Sequence, residues 1–220
     1  MMLLALETAT NVCSVAFCDE NGTIYEQRTD KRGTHSEQLF LFIEQLQEEH
    51  GFQVEDLDAV LVSEGPGSYT GLRISASAVK GLLFQTGVPL VGINTLASFA
   101  MGVNQRYSEA NHIHSIIDAR RVHVYHQKFV FDDDQLTTDD EVEVIPIKAF
   151  EKMLRKGDII IGTGLGRIDQ QVLDKTETFG IESITAKSLI SLYQAGFSDF
   201  YQEEDPEMFE PKYYTSNQVS

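Results

Sequence analysis

The chain has 220 residues, 42% hydrophobic and 23% charged, the proportions of a folded globular protein with a sizeable core. Its 34 acidic residues against 17 basic ones give a formal net charge of −17, which serves solubility and argues against a clustered basic surface for gripping phosphates. Any role near a nucleic acid is therefore expected to be indirect, through a basic partner. No apolar run approaches the roughly 20 residues needed to cross a bilayer, so no membrane partner is expected. No secretory leader pattern is read at the start. Cys13 and Cys18 fall an odd number of residues apart on one strand, so their side chains point to opposite faces and stay free, which suits a reducing cytoplasm.

In chain order, Leu3 to Glu7 reads as an apolar strand ending in a carboxylate, Thr8 to Asn11 as a turn, and Val12 to Phe17 as a second strand. Asp19-Glu20-Asn21-Gly22 is a hairpin signal, and Ile24 to Gln27 a third strand. A helix is predicted from Ser36, as its N-cap, to His50. Asp58 to Glu64 is a buried strand leading into Gly65-Pro66-Gly67-Ser68-Tyr69-Thr70-Gly71, with a helix from Leu72 to Thr86 stopped by Gly87. Pro89 to Ile93 is the next strand, and Asn94-Thr95 caps a helix through Met101.

The order then repeats. Ile113 to Asp118 is an apolar run ending in a carboxylate, Ala119-Arg120-Arg121 a turn, and Val122 to Phe131 a strand with an acidic bend at Asp132 to Asp134. Val142 to Ile145 is a strand, Lys148 to Arg155 a helix, and Ile159 to Ile161 a buried strand before Gly162-Thr163-Gly164-Leu165-Gly166, where a further helix is expected. This repeat of order predicts an α/β protein of two pseudo-equivalent, facing lobes, 1–105 and 106–220, with Glu7 and Asp118 at matching strand ends. Ala186 to Phe200 is a helix candidate able to return to the first lobe, although it is assigned with the tail to the second. The tail from Tyr201 is acidic, then aromatic, and its last residues are expected to fray.

Glycine loops opening into helices can hold a phosphate, because unpaired backbone N–H groups point outward there. Gly65, Gly67 and Gly71, with Ser68, Tyr69, Thr70 and Arg73, form the first candidate, and Glu7 and Thr8 at the neighbouring strand end join it. Gly162 to Gly166, beside Arg167, is the second. Neither matches the phosphate-loop or dinucleotide fingerprints, and a tight strand-to-helix turn explains both equally. His112 and His114 have ligand spacing on a strand but no evident carboxylate nearby; His123 and His126 lack that spacing, so no metal is expected. His35 reads as a surface contact. Gly67-Ser68-Tyr69 lacks the second glycine of a nucleophile elbow.

The helices say more. Leu39, Phe42, Ile43 and Leu46 make a sheet-facing stripe that leaves out Phe40 and Leu41. On the next helix Leu72, Ala76, Val79 and Leu83 make the core stripe, while Ile74, Ser77, Ala78 and Gly81 form a second face of small and apolar residues. Either three-layer packing within the chain covers both sides, or these six positions, Phe40, Leu41, Ile74, Ser77, Ala78 and Gly81, offer an apolar docking surface to another protein.

The block Ser63-Glu64-Gly65-Pro66-Gly67-Ser68-Tyr69-Thr70-Gly71-Leu72-Arg73-Ile74 resembles the bacterial TsaB (YeaZ) family. Leu4-Ala5-Leu6-Glu7-Thr8-Ala9-Thr10, Ile117-Asp118-Ala119-Arg120, Ile93-Asn94-Thr95-Leu96 and Ile161-Gly162-Thr163-Gly164 resemble it too. The resemblance implies the actin-like ATPase (ASKHA, ribonuclease H-like) fold. It implies a subunit without catalysis of its own, pairing through its first-lobe helices with the catalytic paralogue TsaD. With the ATPase TsaE it would support threonylcarbamoyl transfer to adenosine 37 of tRNA, the t6A modification. A homodimer when alone, and ADP or ATP in the assembled complex, are further expectations; no cofactor is expected to be tightly bound. The paralogue's His-x-x-x-His metal helix has no counterpart in Leu96-Ala97-Ser98-Phe99-Ala100-Met101. Three departures from the family pattern are Glu7 for the usual Asp, Ser75 for Gly after Arg73-Ile74, and Tyr213-Tyr214-Thr215 without the usual arginine. The alternative reading is a small-molecule kinase or ATPase of the same fold.

Overall fold

The computed structural model describes residues 1–103, 112–132 and 135–214. The chain forms two compact units, one of Met1–Thr95 with Thr185–Lys212, the other starting at Leu96, running to Ile184 and resuming at Tyr213. This division differs from the expected 1–105 and 106–220, for a reason that the returning segment supplies.

In the first unit, β1 (Leu3–Glu7), β2 (Cys13–Cys18) and β3 (Ile24–Thr29) form an antiparallel meander, turned at Asp19–Gly22 as the Asn-Gly signal requires. After α1 (His35–His50), β4 (Ala59–Gly65) returns parallel to β1; after α2 (Tyr69–Leu82), β5 (Leu90–Asn94) lies parallel to β4. Strands β1, β2 and β4 are buried at every position. Helices on both faces require that, which is why these strands read as unbroken apolar runs rather than alternating ones. Leu4, Leu6, Val15 and Phe17 meet Leu39, Phe42, Ile43 and Leu46 of α1 and Ala76 and Val79 of α2 in one core.

The helix ends depart from expectation. α1 begins at His35 with Thr34 as N-cap, not Ser36, and the Thr34 hydroxyl donates to the Lys31 carbonyl rather than capping. α2 begins at Tyr69 instead of Leu72, because Ser68 Oγ accepts from the Gly71 amide and caps the helix three residues earlier. It ends at Leu82, and left-handed Gln85 and Gly87 carry the chain away.

The second unit opens within α3 (Thr95–Met101) and continues with β6 (Ile113–Asp118) and β7 (His123–Asp132). A short β8 (Gln135–Thr137), absent from the sequence reading, pairs with the end of β7; of the acidic bend, Asp133 and Asp134 lie outside the described residues. There follow β9 (Glu143–Pro146), α4 (Ile147–Met153), β10 (Ile159–Gly162), the four-residue α5 (Gln170–Leu173) and β11 (Glu177–Phe179). The helix expected directly after Gly162–Gly166 is a single 3₁₀ turn at Leu165–Arg167. Ile116, Val124, Ile147, Phe150, Ile160 and Ile168 make this unit's core.

The chain then returns. α6 (Lys187–Gln194), shorter than the expected Ala186–Phe200, packs on β1, β2 and β4, and β12 (Tyr201–Glu204) pairs antiparallel with β5. The Ala186 amide donates to Ser14 Oγ on β2 at 2.8 Å. These contacts place residues 185–212 in the first unit rather than the second. The last six residues, where fraying was expected, lie outside the described set.

Strand order is β3-β2-β1-β4-β5 with β12 outermost in one sheet, and β9-β7-β6-β10-β11 in the other. In both, a three-strand antiparallel meander is followed by two parallel strands, the ribonuclease H-like order that underlies the actin-like fold. The internal repeat read from the sequence is therefore real at the level of topology.

Candidate functional site

The first candidate site is the turn after β1 and the glycine loop before α2. Glu7 is fully buried. Its carboxylate accepts the Ala9 amide at 2.7 Å and the Ser63 hydroxyl, and burial pushes its pKa up to about 7. Thr8, also fully buried, donates its hydroxyl to the Gly71 carbonyl at 2.9 Å, and the Ser68 amide donates to the Ala9 carbonyl at 2.7 Å.

The glycines are explained by these close approaches. A Cβ on Gly67 would meet the Ala9 backbone and one on Gly71 the Thr8 carbonyl, each closer than 3.0 Å. Gly65, with φ +121°, faces the Lys212 carbonyl in the same way. The Lys212 amide donates to the Glu64 carbonyl at 2.7 Å, and its ammonium pairs with Glu64 Oε1 at 2.8 Å. At each of these three glycines the place of a side chain is taken by the chain's own backbone. These contacts account for Gly65, Gly67 and Gly71 as close-packing positions, and Glu7 and Thr8 are buried beside them. Ser68 is spent on the helix cap.

The remaining residues of that set point elsewhere. Tyr69, Thr70 and Arg73 line an open groove of ≈ 390 Å³ with Ser36 and Phe40 of α1 and Ile74 and Ser77 of α2. Sequence reasoning placed Phe40, Ile74 and Ser77 on one surface, and the structure brings these three together. It missed Ser36 and Arg73 as groove residues, and also Tyr69 and Thr70, whose loop-like sequence hid the first turn of α2. Phe40 is 52% exposed, Tyr69 57% and Leu41 41%, large apolar areas for a solvent-facing surface. Gly81 is exposed, with open space where a side chain would go. Ala78 is a correction: it is 1% exposed and sits in the first unit's core, because α1 and α2 pack on each other along that face.

The second glycine loop closes on itself likewise. Gly162 lies against the Ile116 carbonyl, the Asp118 amide donates to Thr163 Oγ1 at 3.0 Å, and the Asp118 carboxylate pairs with Arg167. His35 is not a surface contact: it is 8% exposed, and its Nε2 lies 3.0 Å from the Thr10 carbonyl and 3.1 Å from that of Val12. His112 and His114 do have a carboxylate neighbour. Parallel pairing of β6 with β10 brings Asp158 to 3.4 Å from His112 Nδ1 and 3.3 Å from His114 Nε2. His114 Nδ1 in turn lies 2.9 Å from His126 Nε2. Burial pushes His114 down to about 4 and His126 to about 3. Among the described residues no group of three His, Cys, Asp or Glu is placed to hold a metal ion. The thiols Cys13 and Cys18 are free and buried, and burial pushes Cys13 up to about 12, so neither is a reactive nucleophile.

Comparison with known proteins gives two names, TsaB and TsaD, both tied to threonylcarbamoyl modification of tRNA adenosine. A family model described as TsaD, tRNA N6-adenosine threonylcarbamoyltransferase, matches residues 29–161. The tRNA threonylcarbamoyladenosine biosynthesis protein TsaB of Escherichia coli K12 is 30% identical over 168 residues, 74% of this chain and 72% of that protein. A tRNA N6-adenosine threonylcarbamoyltransferase of Cereibacter sphaeroides is 43% identical over 67 residues, 30% of this chain and 18% of that protein. The crystal structure of YeaZ from Pseudomonas aeruginosa superposes with a TM-score of 0.79 at 27% identity, covering 97% of this chain and 99% of that one.

Proposed function

The chain belongs to the TsaB (YeaZ) family, an accessory component of tRNA threonylcarbamoyladenosine biosynthesis, and from that premise we propose that it has no catalysis of its own and acts by docking the catalytic paralogue TsaD through the α1/α2 groove. The observation that carries this reading is the groove itself: Phe40 and Tyr69 stand more than half exposed beside Ile74, next to the Gly65–Gly71 loop. The glycines of that loop are packed against Thr8, Ala9 and Lys212. Surface that would otherwise be an aggregation liability is explained by a partner that covers it.

The ATPase TsaE completes the assembly, and the product is the modified adenosine 37 of tRNA. Any ADP or ATP is bound in that assembly. The net charge of −17 makes the tRNA contact a task for the partners, in the cytoplasm. In the absence of TsaD the same groove serves a homodimer.

The test is co-purification with TsaD and the tRNA t6A level after depletion, compared for the wild type and Phe40→Asp. Loss of both with Phe40→Asp is expected. Retention of TsaD binding would reject the groove, and steady ATP turnover by the isolated chain would favour the kinase reading instead.

A further inference from the structure

Seven side chains line the α1/α2 groove, and of these Arg73 alone is charged; no carboxylate joins it, on a chain whose net charge is −17. Arg73 and Tyr69 are one helical turn apart on α2. The guanidinium carbon lies 5.0 Å from the Tyr69 ring centroid, and Nη1 donates to the Tyr69 hydroxyl. These two contacts hold the guanidinium beside Tyr69 on the groove wall. Arg167, in contrast, is already paired with Asp118. A guanidinium presents five N–H donors in a planar array that matches a carboxylate bidentately, so Arg73 keeps most of its hydrogen-bonding capacity.

Docking changes the energetics of this cation. In the open groove it is hydrated; covered by an apolar surface it would lose that water without compensation, at a cost larger than the apolar contacts of one side chain return. A partner that fits must therefore supply a counter-charge. We propose that the surface entering this groove carries a carboxylate that pairs with Arg73, next to an apolar side chain seated against Phe40 and Ile74. A phosphate would satisfy the same fork, but the apolar walls and the strongly negative chain both disfavour a nucleic-acid backbone. Tyr and Arg are also the residue types that most often dominate the energy of a protein interface. The proposal rests on the docking reading above and adds to it the chemistry of the occupant.

The experiment is a double-mutant cycle on the complex of the full-length chain with the TsaD of the same organism. Affinities are measured for wild type, Arg73→Gln, Arg73→Lys and Phe40→Ser, each against wild-type TsaD and against TsaD variants with single surface Asp or Glu residues changed to Asn or Gln. Arg73→Gln is expected to weaken binding by at least about tenfold, and one TsaD carboxylate variant to be strongly non-additive with it. Arg73→Lys should recover only part of the loss, because an ammonium lacks the fork. Thermal unfolding of each variant should match the wild type, since Phe40 and Arg73 are exposed. If Phe40→Ser abolishes binding while Arg73→Gln leaves it intact, the groove stands and the carboxylate is rejected. If neither substitution matters, the docking reading itself fails. If Arg73→Gln weakens tRNA binding by the complex and not TsaD binding, a phosphate takes the place of the carboxylate and the proposal is overturned.

Discussion

Thr8 and Gly71 lie 63 residues apart in the chain, yet the Thr8 hydroxyl donates to the Gly71 carbonyl at 2.9 Å, and the Thr8 backbone occupies the space of a Gly71 side chain. This one contact ties the end of β1 to the first turn of α2. It closes the glycine loop from inside and turns Tyr69, Thr70 and Arg73 outward, toward the groove.

Gly71→Ala is therefore expected to destabilise the first unit by about 1–3 kcal/mol, since the added methyl meets backbone rather than a flexible side chain. Urea denaturation measures it. A variant as stable as wild type would show that the β1 turn and the α2 loop do not pack so closely in solution.

Ala78→Arg and Gly81→Arg should separate core from surface. Ala78 is 1% exposed among apolar neighbours, so a guanidinium there leaves a buried charge without a partner, and several kcal/mol of stability should be lost. Gly81 has open space at its Cβ, so Gly81→Arg should stay folded within about 1 kcal/mol. Comparing melting temperatures checks both, and a folded Ala78→Arg would contradict the buried α1/α2 contact.

Glu7 makes the first unit less stable as pH rises. Its folded pKa of about 7 lies above the ordinary 4.5, so the native state holds a proton that the unfolded chain has released. That contribution is fully present below 4.5 and is lost as pH rises through about 7, at a slope of at most about 1.4 kcal/mol per pH unit. Glu7→Gln should flatten the stability profile across this window. Hydrogen exchange of β1 peptides between pH 5 and 8 reads it, and an unchanged profile would count against a protonated Glu7.

The histidine chain of the second unit acts in the opposite sense. Burial pushes His114 to about 4 and His126 to about 3, below the ordinary 6.5, so the unfolded chain takes up protons first. Stability from their neutral forms is complete above 6.5 and drains away as pH falls toward 4. His126 sits 5.2 Å from Phe150, ring to ring, and His126→Phe should blunt the acid sensitivity of β6 and β7 peptides in the same exchange measurement. Titration of both imidazoles near 6.5 by NMR would overturn this account.

Local signals carried the strand skeleton. Leu3 to Glu7, the Asn21-Gly22 hairpin and the buried run Ile159 to Ile161 all declared themselves, because pleat, turn geometry and burial act over a few residues. Their order alone determined the duplicated topology and, with the glycine block, the family. The helix stripe likewise separated Leu39, Phe42, Ile43 and Leu46 from exposed Phe40 and Leu41. Tertiary structure decided what the glycines are for. Gly65, Gly67 and Gly71 look the same in sequence whether a phosphate or a backbone lies against them, and here Lys212, Ala9 and Thr8 arrive from distant points of the chain. The same holds for Asp158, which parallel pairing carries to His112 and His114, and for Ala78, which helix–helix packing buries. Short-range physics is written residue by residue; the partner of a buried group or a tight glycine is set only when the sheet closes.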